Sequence, residues 1–237
     1  MIPPRRSLRQ LTGPAVVLGV LLACTATLAG ALHVREIRVR GCQRFPAQEV
    51  ENVLRTALGT PTVAARPDRL RGAVLAVPWV ADAHVTVSLD GIVTCAVEER
   101  TPVAVAEDSG LRQLLDAEGR LLGPASYDVP PLRLEGFATV PEERAALLRA
   151  VAAMEAAWGG RLASARRLGP ADVALRFAET PCLVLADPAA PERLSSARRV
   201  LAAWIAAAGT PPRRLDARLS DRVAVLPEAP TTAEEPS

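Results

Sequence analysis

Apolar and polar residues alternate along residues 83–89. Ala83, Val85, Val87 and Leu89 share one parity, and His84, Thr86 and Ser88 take the other. A period of two predicts a half-buried strand, here Val80–Leu89, closed by an Asp90–Gly91 turn and answered by a second strand, Ile92–Glu99. Upstream, Val34, Ile37 and Val39 predict a short strand stopped by Gly41, with Ile37 and Val39 inward. Between these strands lie two helical patterns. One enters at Pro46 and carries Val50, Val53, Leu54, Ala57 and Leu58; the other starts at Pro67 with Leu70, Val74 and Leu75, and Pro78 ends it. The order is strand, helix, helix, strand, strand, which packs as a small sheet with two helices on one face.

The second half repeats both periods. "PVAVAEDSGLRQLLDAEGRLLG" alternates short apolar runs with turns at Asp108–Ser109–Gly110 and Asp116–Gly119, a meander pattern. "PEERAALLRAVAAMEAAWGG" predicts a helix with acids in its first turn, Leu147, Leu148, Val151 and Met154 on one side, and a stop at Gly159–Gly160. "DVALRFAE" and "PCLVLAD" predict strands. "PERLSSARRVLAAWIAAAG" predicts a helix with Leu194, Ala197, Val200, Leu201, Trp204 and Ile205 at helical spacing. "RRLDARLSDRVAV" closes the ordered part as a strand region, and the polar, Pro-rich residues 227–237 read as a disordered tail.

At the other end, Gly13 to Leu32 runs without a charge behind Arg5, Arg6 and Arg9. As a helix this run is roughly 30 Å long, the thickness of the bilayer core, which predicts a single transmembrane helix over residues 12–32 and a cytoplasmic head over 1–11. Two processing readings compete: a signal peptide cut after the A-x-A of "LAGAL", or a lipoprotein signal ending at Cys24. The uncleaved helix is favoured because apolar residues continue past Cys24. Arg35, Arg38, Arg40 and Arg44 follow the run, so charge alone does not fix its orientation.

Composition narrows the chemistry. The net charge is +2, with no concentrated basic face to suggest nucleic acid. All 28 basic residues are arginine, so a Gly-Lys-Ser/Thr phosphate loop and a Schiff-base lysine are absent. Two histidines and four cysteines without a C-x-x-C pair argue against a metal site. Cys95 falls at an inward parity and reads as a small buried hydrophobe; Cys42, Cys95 and Cys182 form an odd set outside the apolar run. His84 sits on a polar parity with no Asp/Ser or Asp/Cys constellation around it, and Glu98 and Glu99 point to opposite faces of a strand. Glu99 and Arg100 read as part of an ion-pair network, and Asp116–Gly119 as a hairpin turn with too few ligands for calcium. No catalytic residue, cofactor, metal or small-molecule substrate is predicted.

"VREIRVRGCQRFPAQEVENVL", "LAVPWVADAHVTV" and "CAVEERTPVA" resemble the POTRA module of the FtsQ/DivIB cell-division proteins. "LLDAEGRLL", "PPLRLEGF" and "RRLDARLSDRVAV" extend the resemblance, in the family's order, to Leu226. The Asp90–Gly91 turn departs from it, since members often carry a proline after a basic or aromatic residue there. The resemblance implies an α+β class: a single transmembrane helix, a POTRA β-α-α-β-β domain over 33–103, and a second, mixed α/β domain over 104–226 called β. The family's last strand lies near the sheet edge and accepts a strand from FtsB, which comes with FtsL. Carried over, that edge is Arg218, Leu219, Arg222, Val223, Ala224 and Val225. The resemblance further implies a non-enzymatic divisome scaffold of the inner membrane. It would be single-pass, with its C-terminal domains extracytoplasmic, and act at the septum in peptidoglycan synthesis. The rivals are another POTRA-type envelope adaptor and a secreted or lipidated accessory protein.

Overall fold

The first strand, β1 (Glu36–Arg40), lies parallel to β3 (Ile92–Glu99), which pairs antiparallel with β2 (Val80–Val87). The computed structural model describes residues 16–20, 32–125 and 130–227. Two helices, α1 (Ala47–Leu54) and α2 (Pro67–Val74), separate β1 from the hairpin. A core of Val34, Val50, Leu54, Val74, Val80, Val85, Val93 and Cys95 joins the helices to the sheet of order β1-β3-β2. The alternation in β2 therefore does what its period requires: Ala83 and Val85 are buried and His84 is exposed. Gly91, at φ 83, makes the turn, where an added Cβ would collide with the His33 carbonyl.

Two expectations fail at element ends. Pairing stops before Leu89, where the Ser88 amide bonds the Ile92 carbonyl, so Leu89 is 73% exposed rather than inward. After Leu54 the helix tightens into a 3-10 turn, Arg55–Ala57, which carries Leu58 off the apolar stripe.

The chain divides between Glu99 and Arg100. The second unit is one nine-stranded mixed sheet of order β12-β11-β10-β9-β8-β7-β4-β5-β6. Its strands are β4 (Ala104–Asp108), β5 (Leu111–Leu115), β6 (Leu121–Pro124), β7 (Leu132–Glu135), β8 (Leu162–Arg167), β9 (Val173–Phe177), β10 (Leu183–Ala186), β11 (Arg214–Asp216) and β12 (Ala224–Leu226). The antiparallel run β4-β5-β6 is the expected meander. β7 and β8, which no alternation announced, fill the middle of the sheet.

Helices α3 (Pro141–Trp158) and α4 (Arg193–Ala208) pack on the sheet through Leu147, Met154, Trp158, Leu194, Ala197 and Leu201. Pro141 opens α3, and Gly159, left-handed at φ 74, closes it. Ile205, expected on the apolar stripe of α4, is 39% exposed near its end. The last predicted strand region, "RRLDARLSDRVAV", is two strands, β11 and β12, joined by a loop.

Among the described residues no helix is long and apolar enough to cross a membrane. Of the predicted transmembrane run, residues 16–20 are helical and Leu32 is described, while 12–15 and 21–31 lie outside the described residues. So do the head, 1–11, and tail residues 228–237.

Candidate protein-docking edge

Among the described residues, β12 ends the nine-stranded sheet and pairs on one side only. It runs antiparallel to β11, with Arg214 opposite Leu226, Leu215 opposite Val225, and Asp216 opposite Ala224. β11 is parallel to β10, reached through α4. The Leu183 amide donates to the Arg213 carbonyl at 3.2 Å and the Ala217 amide to the Leu185 carbonyl at 2.8 Å. Residues 213, 215 and 217 thus direct their peptide groups to β10, which leaves those of Arg214 and Asp216 for β12. Their partners are Leu226 and Ala224, so the N–H and C=O of Val225 point away from the sheet, toward the open edge.

Side chains alternate as well. Val223 and Val225 pack against the core of the second unit, while Ala224 and Leu226 are exposed.

Of the six residues expected at this edge, Ala224 and Val225 lie in the strand, and Arg222 and Val223 lead into it. Arg218 and Leu219 belong to the loop between β11 and β12. Arg218 is already engaged: its Nε and Nη2 donate to the Asp216 carboxylate at 2.9 and 2.6 Å, and its Nη1 lies 3.2 Å from Asp172. Its carbonyl accepts from Arg193 at 2.8 Å. Arg218 therefore fastens the loop. The Arg218 bond holds the Asp216 carboxyl below its ordinary range against the opposing effect of burial, and the same bond pushes the guanidinium up. Arg222 pairs with Asp221 in the open at 2.9 Å, and Leu219 is exposed. The sequence reading missed Leu226 and the role of Asp216. The Asp216/Arg218 spacing, two residues apart, was the available signal.

Elsewhere the charged groups serve the fold. Glu99 does not build the expected ion-pair network; its carboxylate accepts the amides of Gln43 and Arg44 at 2.5 and 2.9 Å. Arg100 holds Asp116 at 2.8 Å and reaches Glu118 at 3.4 Å. Asp116 in turn accepts the Arg120 amide at 2.7 Å and so shapes the hairpin turn. A cavity of about 350 Å³ beside the start of α3 is lined by Phe137, Glu143, Pro170 and Asp187. Glu143 is bound to Arg167 at 2.6 Å, and Asp187 caps the Ala189 amide. Burial pushes the Cys95 thiol up to about 11 and raises those of Cys42 and Cys182, and all three are free. Among the described residues no group of three or more His, Cys, Asp or Glu is placed to hold a metal ion.

Residues 32–100 match the family model described as POTRA domain, FtsQ-type. Over these residues the chain is similar to an FtsQ-type POTRA domain. The chain is also 34% identical over 106 residues to the cell division protein FtsQ of Salinibacter ruber, covering 42% of this chain and 41% of that protein. It is 30% identical over 110 residues to the FtsQ of Caulobacter vibrioides, covering 45% of this chain and 36% of the relative. The matches thus span about two fifths of these curated relatives' length. Both comparisons support the FtsQ/DivIB family for this chain, and the POTRA domain is the part that carries the family match.

Proposed function

We propose that the chain is a non-enzymatic scaffold of bacterial cell division. Residues 12–32 anchor it in the inner membrane by one pass, with the POTRA domain and the β domain outside the cytoplasm at the septum. Its C-terminal edge takes a strand from an FtsB-type protein that arrives with an FtsL-type protein, and through that assembly it helps coordinate septal peptidoglycan synthesis. The similarity to proteins named cell division protein FtsQ supports the cell-division role. The observation that carries the docking is the one-sided strand β12, whose Val225 peptide groups face outward. Strand addition needs such an unpaired edge for backbone bonds, with alternate side chains for selectivity. Arg222, Val223, Ala224 and Val225 are the contact residues, with Leu219 and Arg218 beside them.

The test is a functional fusion labelled at its N-terminus and followed in dividing cells. A band at midcell that sharpens with constriction is expected. An even envelope distribution, with normal division after depletion, would instead favour another POTRA-type adaptor. A proline at Val223 then tests the edge: it is expected to weaken binding of an FtsB-type segment, and unchanged affinity in a folded variant would refute strand addition.

A further inference from the structure

Two exposed turns of the POTRA domain are tied to the residues that directly follow the uncharged run Gly13–Leu32. On one side, the Thr62 amide donates to the Leu32 carbonyl at 2.8 Å. The Val34 amide donates to Thr60 and the Gly59 amide to Val34, each at 2.9 Å. On the other side, the Arg35 amide donates to the Gly91 carbonyl at 2.7 Å, and its Nη2 to the Asp90 carbonyl at 2.6 Å. The turn at 58–65 and the hairpin turn at 88–91 therefore flank one short stretch of chain.

Each turn carries aliphatic side chains into solvent: Val63 is 82% exposed, Leu89 73% and Leu58 41%. Isolated exposed aliphatics are ordinary, but these three gather at one end of the domain. The domain's own core is closed without them, by Val34, Ala57 and Val93. The charged groups on and beside the turns are Arg35, Arg38, Arg55 and Arg66 against Glu36 and Asp90, a basic excess, with Arg38 paired to Glu36 at 2.6 Å.

Distance supplies the occupant. A chain advances at most about 3.5 Å per residue, and the headgroup layer is roughly 5–7 Å deep on each side of the hydrocarbon. Turns bonded to Leu32, Val34 and Arg35 cannot lie far from the surface that a run ending at Leu32 leaves. Apolar side chains rimmed by arginine suit that layer, where burial of aliphatic surface adds to attraction for anionic lipid.

We infer that this end of the POTRA domain docks on the bilayer surface through Leu58, Val63 and Leu89, which holds the domain in one orientation over the membrane. The inference rests on reading residues 13–32 as the membrane span.

The test uses the full chain in vesicles of phosphatidylethanolamine and phosphatidylglycerol, with Cys24 and Cys42 replaced by alanine. A spin label is placed at Val63→Cys, at Leu89→Cys or, as control, at Gln48→Cys in the first turn of α1. Power saturation compares access by oxygen and by a water-soluble nickel chelate. Oxygen should be favoured severalfold at 63 and 89, and nickel at 48. Nickel preference at all three positions, in chains that float with the vesicles, overturns the docking and leaves the span standing. Chains that do not float overturn both. A label at Leu58→Cys should lose its oxygen preference when V63D and L89D are added; an unchanged preference refutes the role given to those side chains.

Discussion

Arg144 is the most deeply buried cation described in the second unit, at 4% exposure. Its guanidinium donates to the carbonyls of Gly119, Phe137 and Ala138 at 2.6, 2.9 and 2.8 Å, so one side chain of α3 ties two loops to the helix. Burial lowers its pKa while Asp116 opposes that, and arginine keeps its proton regardless. Arg144→Met would leave buried carbonyls without donors, at a cost of about 2–4 kcal/mol, read as a lower urea midpoint for the second unit. Asp216 gives the pH dependence. Its carboxyl is held below the usual value by Arg218, so the stabilisation is complete above the unfolded pKa near 4 and is lost as pH falls through the lower folded value. With the Asp216 and Arg218 side chains 21% and 36% exposed, the pair is worth up to about 1 kcal/mol. Asp216→Asn should therefore destabilise the chain at pH 7 and converge with the parent in thermal melts as pH falls through the lowered folded value.

At the scale of elements, the edge strand makes its own prediction. The Ala224 amide faces β11 and the Val225 amide faces outward, so proline has different consequences at adjacent positions. Val225→Pro should lose only the side chain's packing, with a smaller fall in melting temperature than a proline at Ala224, yet bind an FtsB-type segment at least tenfold more weakly, about 1.4 kcal/mol by titration. Ala224→Pro should lower the melting temperature further, because it breaks the ladder to β11. Equal effects would contradict the register. Elements of this kind were legible where period and burial agree, as in β2 and β3, where one face is core and the other solvent. β8 was not legible: a bulge between Leu162 and Ser164 breaks its alternation, and arginines and small residues occupy the rest. β7, "LRLE", is too short to show a period. The loop holding Arg218 and Leu219 read as strand because the contacts of Arg218 with Asp172 and Arg193, which help fasten it, join residues that a sequence window does not connect.

Across the whole molecule, the two proposed attachments lie at opposite ends of the chain and in different units. The uncharged run leads into the POTRA domain at Leu32, while the proposed docking edge is β12, in the unit that begins at Arg100. The sequence could name the first by its lack of charge. The second needed the family resemblance, because three residues of edge strand differ from any other short apolar run only through the strand they pair with. Each unit has its own core: Leu54, Val80 and Val93 in one, Leu134, Leu175 and Leu215 in the other. Among the described residues, neither core takes a side chain from residues 16–20 or from Leu32. A chain lacking residues 1–32 should therefore keep its fold by circular dichroism and bind an FtsB-type segment in solution with the Kd of the full chain. In cells it should leave the membrane fraction and fail to restore division after depletion. The binding half follows from an edge whose peptide groups are set by β10 and β11 alone; the cellular half follows from losing the only uncharged run long enough to span a bilayer. A truncated chain with weakened binding would mean that the edge depends on the anchor. Rescue of division by the soluble form would mean that docking alone suffices, and the membrane run would then serve delivery rather than assembly.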